Sequence, residues 1–544
     1  YKRQMYYHGC SCKNYYIFGK DVCLMAKNLM IQGTMSNAGK SIVTAGVLRV
    51  LKQDGYRVAP FKSQNMALNS YITKDGFEMG RAQVMQAEAA GTEPDVSMNP
   101  ILLKPTSDVG SQVIVNGIPL KNMPASEYFK YKTKLIPDIM NAYEKLDKAY
   151  DVVVIEGAGS PAEINLKKND IVNMGMAKLV DAPVLLVGDI DRGGVFAQLV
   201  GTIMLLEEEE KRRIKGLVIN KFRGDKKILE PGLVQLTDIC RIPVAGVIPY
   251  MYLDIDDEDS LSERLDNGES YDSTEEVLVD IAVIKLPHIS NFTDFNALES
   301  SNGVHVRYVN DVSRFGNPDF VIIPGTKNTI GDMKWLRQSG LENCILKAAS
   351  TDIPIMGVCG GFQMLGMYIS DEDGTEAGGN IRGIGLLPVV TEFSSKKHQT
   401  RTQAVICASE HGMMWDAAGI WENLNEIKVS GYEIHMGESM ILDSSEDDGF
   451  YGIVSTGRPF SVLSDGKEDG CVNGNVCGTY IHGIFDNEEF LLKLLKSICE
   501  RKGITYEADN VISVKKRKEK EYDKLADMIR TNMDIEMVYK IIGL

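Results

Sequence analysis

The chain has no run that approaches the roughly 20 consecutive apolar residues of a membrane-spanning helix, so no membrane span is expected. Its first 24 residues are polar and aromatic and do not have the apolar centre of a secretory signal. Met25 follows them directly, and Met25-Ala26-Lys27 is typical of a natural start. We therefore expect residues 1–24 to be an extension or a misread start, and the sequence assigns them no function.

Paired cysteines and excess positive charge are also missing. The ten cysteines are scattered without the close, even spacings of a disulfide framework, which indicates reduced thiols and a cytoplasmic setting. Acidic residues outnumber Lys and Arg by 75 to 59, and the net charge is -16. A field of this sign repels phosphate backbones, so a nucleic-acid partner is not expected. An acidic substrate would need a local basic pocket.

A chain of 544 residues is too long for one core, and its apolar runs divide it into two α/β units. Short Val- and Ile-rich runs separated by helical stretches predict buried parallel strands with helical crossovers. In the first unit these strands are 29–32, 57–61, 152–156, 184–188, 216–220 and 244–248. In the second they are 280–285, 320–323, 355–358 and 477–480, with a β-rich region over 383–432.

The boundaries follow from this pattern. A first domain spans 25–252, an acidic linker 253–279, and a second domain 280–502. Residues 503–544 form a charged tail that is predicted to be helical.

A glycine loop between the first strand and a helix predicts a phosphate-binding site. The loop runs over 33–41, and its candidate phosphate ligands are Gly33, Thr34, Asn37, Gly39, Lys40 and Ser41. Lys40 would place its charge on the β and γ phosphates of ATP, and Ser41 would offer a hydroxyl to Mg²⁺. The two glycines are one residue further apart than in the common loop, which resembles the loop of dethiobiotin synthetase and other carboxylate-activating relatives.

Other polar residues near strand ends are candidates for the same centre. Glu156 ends a buried strand, where an open α/β sheet binds its ligands, and it is a candidate Mg²⁺ ligand or else a capping carboxylate. Lys62 could steady the transferred phosphoryl group, Asn220 could read the adenine edge, and Glu78 is a second candidate metal ligand. For Lys62, Asn220 and Glu78 a structural role is an equal alternative.

A second chemical centre surrounds Cys359. Gly357-Val358-Cys359-Gly360-Gly361 follows an apolar strand and has the pattern of a nucleophile elbow with Cys as nucleophile. The turn would place Cys359 at a helix N-terminus, where the helix dipole favours a thiolate. The backbone N–H of Gly360 would then hold an oxyanion, and Gly325, in a glycine turn after another strand, is the second candidate donor.

The thiol needs a base, and His482 is the preferred candidate because it follows an apolar strand well downstream of Cys359. His435 is the competitor and could instead shape the substrate pocket. No acidic residue lies two positions after His482, where this chain has Ile484. The sequence therefore assigns no third member of a triad.

Together these segments resemble the cobyric acid synthases, which hydrolyse glutamine in cobalamin biosynthesis. The resemblance runs from about Met25 to the C-terminus and is carried by segments 32–41, 61–70, 80–83, 156–166, 189–196, 358–363 and 480–483. It implies a dethiobiotin-synthetase-like P-loop domain, followed by a class I glutamine amidotransferase-like domain with Cys359 and His482 as catalytic residues. The chain departs from the family at Glu438-Ser439, where Arg-Thr is usual. It also departs from many related amidotransferases at Ile484, where those proteins carry Glu two residues after the catalytic His.

The resemblance also implies a reaction. ATP, Mg²⁺ and glutamine would serve four successive amidations of peripheral carboxylates on an (adenosyl)cobyrinic acid a,c-diamide corrinoid. The sister enzyme, cobyrinic acid a,c-diamide synthase, shares both domains and amidates only two carboxylates. A regulatory P-loop ATPase with a binding module as second domain is a further alternative. The sequence sets no oligomeric state.

Overall fold

The computed structural model describes residues 25–107, 110–255, 277–376, 378–407, 420–442, 457–508, 511 and 513–544. The predicted extension over 1–24 and most of the predicted linker over 253–279 lie outside these residues. Among the helices within the described ranges, none is long and apolar enough to cross a membrane.

The first unit is built on a six-stranded sheet whose paired strands are all parallel. All six predicted strands are confirmed, because strands covered by helices on both faces read as continuous Val and Ile runs. In spatial order they are Val244–Pro249, Ile214–Phe222, Val184–Asp189, Lys27–Gly33, Val152–Glu156 and Val58–Phe61.

Helices and a smaller insertion surround this sheet. The α-helices are Lys40–Gln53, Arg81–Ala90, Ala125–Tyr131, Ile136–Ala149, Met174–Leu179, Val195–Leu205, Glu208–Lys211 and Lys226–Cys240. The inserted sheet pairs Gln64–Met66, Ile101–Ser107, Gly110–Val115 and Ile118–Pro124. A hairpin of Ser70–Ile72 and Glu78–Gly80 stands beside it and faces the second unit.

The second unit has its own six-stranded sheet, in which the four strands predicted from the sequence are confirmed. In spatial order the strands are Val304–Val309, Val279–Ile284, Phe320–Ile323, Ile355–Val358, Val476–Thr479 and Cys471–Asn473, with only the last pair antiparallel among them. Its α-helices are Asn296–Glu299, Thr329–Gln338, Leu341–Ser350, Gly360–Leu365 and Glu488–Arg501. The predicted α/β class is thus confirmed for both units.

The predicted β-rich region forms a second sheet in this unit. Its centre is a long antiparallel pair, Val389–Ile406 with Lys428–Ile441, so the region extends past the predicted end at residue 432. Shorter strands complete it: Tyr368–Asp371, Gly379–Arg382, Ser461–Leu463 and Glu468–Asp469.

The C-terminal tail is helical as predicted, but it is not a free appendage. Its helices Val514–Asn532 and Ile535–Ile542 return to the first unit, where the first packs on helix Lys40–Gln53 and the second contacts strand Lys27–Gly33. A Cβ on Gly46 would lie 2.5 Å from Ile529 Cγ1, which shows how close this packing is. The tail therefore contributes to the core of the first domain.

Candidate functional site

Cys359 sits on a strained turn between strand Ile355–Val358 and helix Gly360–Leu365. Its φ of 52° and ψ of -110° lie in a region that residues with a side chain rarely adopt. A Cβ on Gly361 would lie 1.9 Å from the Ile323 carbonyl oxygen, and one on Gly357 would lie 2.6 Å from Gly361. The two glycines of the predicted elbow are therefore required for the turn that presents the thiol.

His482 lies beside this thiol and completes a hydrogen-bonded chain. It is hydrogen-bonded to Cys359, and its Nδ1 lies 2.7 Å from Asp294 Oδ2. The other oxygen of Asp294 accepts the backbone N–H of Gly483 at 3.0 Å. Burial alone would lower the pKa of His482, but the charge and hydrogen bond of Asp294, together with Cys359, raise it to about 10. Asp294 thus occupies the position of a third triad member.

Sequence reasoning missed Asp294 because it looked for the third residue just after His482. Asp294 lies 188 positions upstream, in the short 3₁₀ turn Phe292–Phe295 that follows the first strand of the domain. An acid between two Phe residues beside a strand end was the available signal. Ile484, at the position where relatives carry Glu, is buried in the apolar core.

The two candidate oxyanion donors meet at this centre. A Cβ on Gly360 would lie 2.7 Å from Thr326 Cγ2, and one on Gly325 would lie 3.2 Å from His482 Cε1. The turn at Gly325 thus packs against the elbow and the His482 imidazole. This proximity is what an oxyanion hole needs, and the role itself stays a prediction.

His435 is a neighbour of the thiol rather than its hydrogen-bond partner. Its ring stacks on Tyr480 with centroids 3.8 Å apart, and its Nδ1 lies 2.7 Å from the Gly437 carbonyl oxygen. The carbonyl of Ile434, one residue earlier, accepts from Cys359 Sγ at 3.6 Å. The geometry favours His482 over His435 as the base.

In the first domain the glycine loop has the backbone expected of a phosphate cradle. Asn37 and Gly39 have φ values of 59° and 89°, and helix Lys40–Gln53 begins directly after them. Lys40 Nζ donates to the Met35 and Gly159 carbonyl oxygens at 3.1 and 3.3 Å, which holds its charge over the loop.

The remaining loop candidates, Asn220, Gly33 and Thr34, contact the loop itself or a neighbouring side chain. Asn220 Nδ2 donates to the Ala38 carbonyl oxygen at 3.0 Å, so its amide clamps the loop, while reading of adenine stays a prediction. Gly33 packs against the Lys40 stem, and Thr34 Oγ1 donates to Gln198 Oε1 at 3.1 Å.

Glu156 is the hub of the polar contacts beside the loop. Its Oε1 accepts from Ser41 Oγ at 3.0 Å and from Lys62 Nζ at 2.9 Å, and Gln86 donates to its Oε2. A buried carboxylate and a hydroxyl are hard oxygen donors of the kind that Mg²⁺ prefers, so Ser41 and Glu156 fit that ion.

Glu78 does not lie with Ser41 and Glu156. Both of its oxygens contact lysines, Oε1 with Lys104 Nζ at 2.8 Å and Oε2 with Lys397 Nζ at 2.5 Å. Burial would raise the pKa of Glu78, but these lysines hold it well below its ordinary value. The assignment of Glu78 as a metal ligand beside the loop is therefore corrected: it binds the second domain through Lys397.

A cavity of about 830 Å³ opens at the carboxyl ends of the first sheet. Such a volume suits a ligand as large as a nucleotide. Predicted residues that line it are Asn37, Gly39, Lys40, Ser41, Lys62, Glu156 and Asn220. Lys132, Lys167, Arg192 and Lys221 also line it, together with Glu163, Asp170, Asp189 and Asp191, so its lining carries charges of both signs.

The surroundings of the triad touch the first domain. The Tyr432 ring stacks on His482 with centroids 5.2 Å apart, and its hydroxyl donates to the Ser70 carbonyl oxygen at 3.3 Å. Asn291, whose Nδ2 lies 3.4 Å from His482 Nε2, accepts the Ser70 N–H. Ser70 of the first domain's hairpin thus contacts groups that surround His482.

Comparison with known proteins matches two family models to separate parts of the chain. Residues 29–261 match the CobQ/CobB/MinD/ParA nucleotide binding domain, and residues 280–490 match the CobB/CobQ-like glutamine amidotransferase domain. A cobyric acid synthase of Ruminiclostridium cellulolyticum is 54% identical over 518 residues, which cover 95% of this chain and 97% of that protein. The chain belongs to the cobyric acid synthase family. It is therefore an amidating ligase with a nucleotide-binding domain.

A second cobyric acid synthase, from Lachnoclostridium phytofermentans, is 55% identical, covering 95% of this chain and 99% of the relative. Among solved structures, the chain is similar to PurLQS from Thermotoga maritima at 17% identity and a TM-score of 0.29, over 41% of this chain and 99% of that one. The family assignment thus rests on the sequence relatives and the two matched domains.

Proposed function

We propose that this chain is a glutamine-hydrolysing cobyric acid synthase. It would amidate four peripheral carboxylates of (adenosyl)cobyrinic acid a,c-diamide to give (adenosyl)cobyric acid, with one ATP and one glutamine consumed at each step. The observation that carries the proposal is the presence, in one chain of this family, of a Cys359–His482–Asp294 arrangement and a phosphate loop with Glu156 beside it.

Glutamine hydrolysis would proceed at Cys359. The raised pKa of His482 keeps a proton on its imidazole at neutral pH, and the Cys359 thiolate attacks the amide carbon of glutamine. Backbone N–H groups of Gly360 and Gly325 would hold the oxyanion. His482 gives its proton to the leaving nitrogen, ammonia departs, and water then releases glutamate from the thioester. Asp294 orients the imidazole and stabilises its charge throughout.

The first domain would activate the corrinoid carboxylate. The carboxylate attacks the γ-phosphorus of ATP, an acyl phosphate forms, and ammonia displaces phosphate to leave the amide. Lys40 would neutralise charge on the transferred group, and Lys62 would hold Glu156 in place. Ser41 and Glu156 would hold Mg²⁺, which when bound shields phosphate charge.

The two reactions must exchange ammonia. At neutral pH most free ammonia becomes ammonium, which is not a nucleophile, so direct transfer between the domains is favourable. The contacts of Ser70 with Tyr432 and Asn291 support such coupling, because they join the first domain to the surroundings of His482.

Cys359→Ala tests the division of labour. The variant should lose glutamine-dependent synthesis and keep synthesis with ammonium salts, as measured by corrinoid product. Normal glutamine hydrolysis by this variant would refute the assignment of Cys359. A regulatory ATPase would make no amide from either nitrogen source, and the diamide synthase alternative would add only the a and c amides.

A further inference from the structure

Three side chains of the types that bind metal ions meet on one face of the second domain's long strand pair. His398 lies directly opposite His435 in the pairing of Val389–Ile406 with Lys428–Ile441. Glu433 precedes His435 by two residues and so projects from the same face. The Nε2 atoms of both histidines lie 3.5 Å from Glu433 Oε2. The cluster uses none of the residues that we place in glutamine hydrolysis.

The hydrogen bonds within this cluster supply no cation, and the positive charge that acts on it from outside is that of the exposed Lys467. His435 Nδ1 lies 2.7 Å from the Gly437 carbonyl oxygen, so Nδ1 carries the donated proton and the Nε2 lone pair of the neutral ring faces the carboxylate. Glu433 is 4% exposed, and its Oε1 has no hydrogen-bond partner within the described parts of the chain. A buried carboxylate facing an imidazole lone pair is costly without a cation.

A protonated histidine is the simple alternative cation, but the spacing does not favour it. Charge-assisted N–H···O bonds are typically about 2.7–2.9 Å long, whereas both contacts here are 3.5 Å. Two ligands bound tetrahedrally to Zn²⁺ at about 2.0–2.1 Å stand roughly 3.4 Å apart. The ligand atoms of all three residues lie within 4.8 Å of one another.

We propose that His398, Glu433 and His435 form a binding site for a divalent transition metal ion of the Zn²⁺ class. Two imidazoles and one carboxylate suit such an ion and leave a fourth position open to water or a ligand. The Gly437 carbonyl supplies the outer hydrogen bond that commonly fixes the tautomer of a metal-binding histidine.

The site adjoins the glutaminase centre. Ile434 stands between Glu433 and His435 in the chain, and its carbonyl accepts from Cys359 Sγ. The His435 ring also stacks on Tyr480. A metal bound here would fix the backbone of the strand that contacts the nucleophile, which is how it would act on glutamine hydrolysis.

The test is metal binding by the full chain, in a Cys359→Ser background that removes the catalytic thiolate as a competing ligand. Chelator-treated protein is titrated with Co²⁺, whose visible absorption reports its ligands, and with Zn²⁺ in competition. The parent should bind one equivalent with the spectrum of a four-coordinate nitrogen and oxygen site. His398→Ala should weaken this binding by roughly tenfold or more.

His305→Ala is the matched control, since His305 is also partly exposed and lies 3.5 Å from a carboxylate, that of Asp280. It should leave binding unchanged, and Glu433→Gln should weaken it without the loss of a histidine. The proposal is overturned if the parent binds no equivalent, or if His398→Ala and Glu433→Gln bind as the parent does.

Discussion

Replacing Asp294 by Asn is the sharpest test of the triad geometry. The amide keeps the size of the carboxylate but removes the charge that, with its 2.7 Å hydrogen bond, raises the pKa of His482 against the effect of burial. An Asn that donates to Nδ1 would also select the wrong tautomer of the imidazole. Both changes should act on the same step, the attack of the thiolate on glutamine.

The expected loss of kcat/KM for glutamine follows from the burial of the His482 and Asp294 side chains. His482 and Asp294 have side chains that are 1% and 4% exposed. Removing one partner of a buried ion pair costs roughly 3–5 kcal/mol, and each 1.36 kcal/mol of transition-state free energy is tenfold in rate. The kcat/KM for glutamine should therefore fall roughly 100-fold to 10,000-fold, while synthesis from ammonium salts persists.

The assay is glutamate release, with Asp280→Asn as control because Asp280 also contacts a histidine, His305, outside the site. A kcat/KM for Asp294→Asn within threefold of the control would refute the reasoning.

Thermal stability gives a second readout for the same variant. Because folding raises the pKa of His482, the protonated histidine stabilises the folded state. This contribution is complete below about pH 6.5 and is lost as the pH rises through about 10. The variant's deficit in thermal stability should therefore shrink from pH 7 to pH 10.

Three further variants separate the other parts of the account. Lys397→Met should destabilise the fold by about 3 kcal/mol, because it leaves part of a buried carboxylate unpaired; Lys396→Met, at the exposed neighbouring lysine, should not change the thermal midpoint. Gly361→Ala should abolish soluble folded protein through its backbone clash, whereas Gly201→Ala, where a Cβ meets nothing within 4 Å, should be neutral or stabilising in the same solubility and melting assays. Glu156→Gln should lower ATP-dependent synthesis at least tenfold with either nitrogen source and leave glutamine hydrolysis intact. Equal loss of both activities would contradict separate centres.

Much of the fold and the two chemical centres could be predicted because their signals are local. Buried parallel strands read as apolar runs, and the strands Val152–Glu156, Phe320–Ile323 and Ile355–Val358 were predicted to the residue. The elbow at Cys359 and the loop ending at Ser41 are short motifs whose geometry depends mainly on neighbouring glycines.

The features that could not be predicted depend on contacts between distant segments. Asp294 reaches His482 across 188 positions, and no spacing rule links the two. Glu78 was assigned to the wrong centre because an acid at the end of a short strand does not reveal which sheet or domain it faces. The packing of the C-terminal helices on the first domain likewise depends on tertiary contacts, such as that between Gly46 and Ile529.

The central claim is that this chain couples glutamine hydrolysis to amidation of a corrinoid, and product mass measures it directly. Purified protein is incubated with ATP, Mg²⁺, glutamine and (adenosyl)cobyrinic acid a,c-diamide, and the corrinoids are analysed by mass spectrometry. The account predicts a ladder of products that ends at four added amides. The Cys359→Ala variant should produce this ladder only with ammonium salts. The account would be contradicted if the diamide gained no amide group with either nitrogen source.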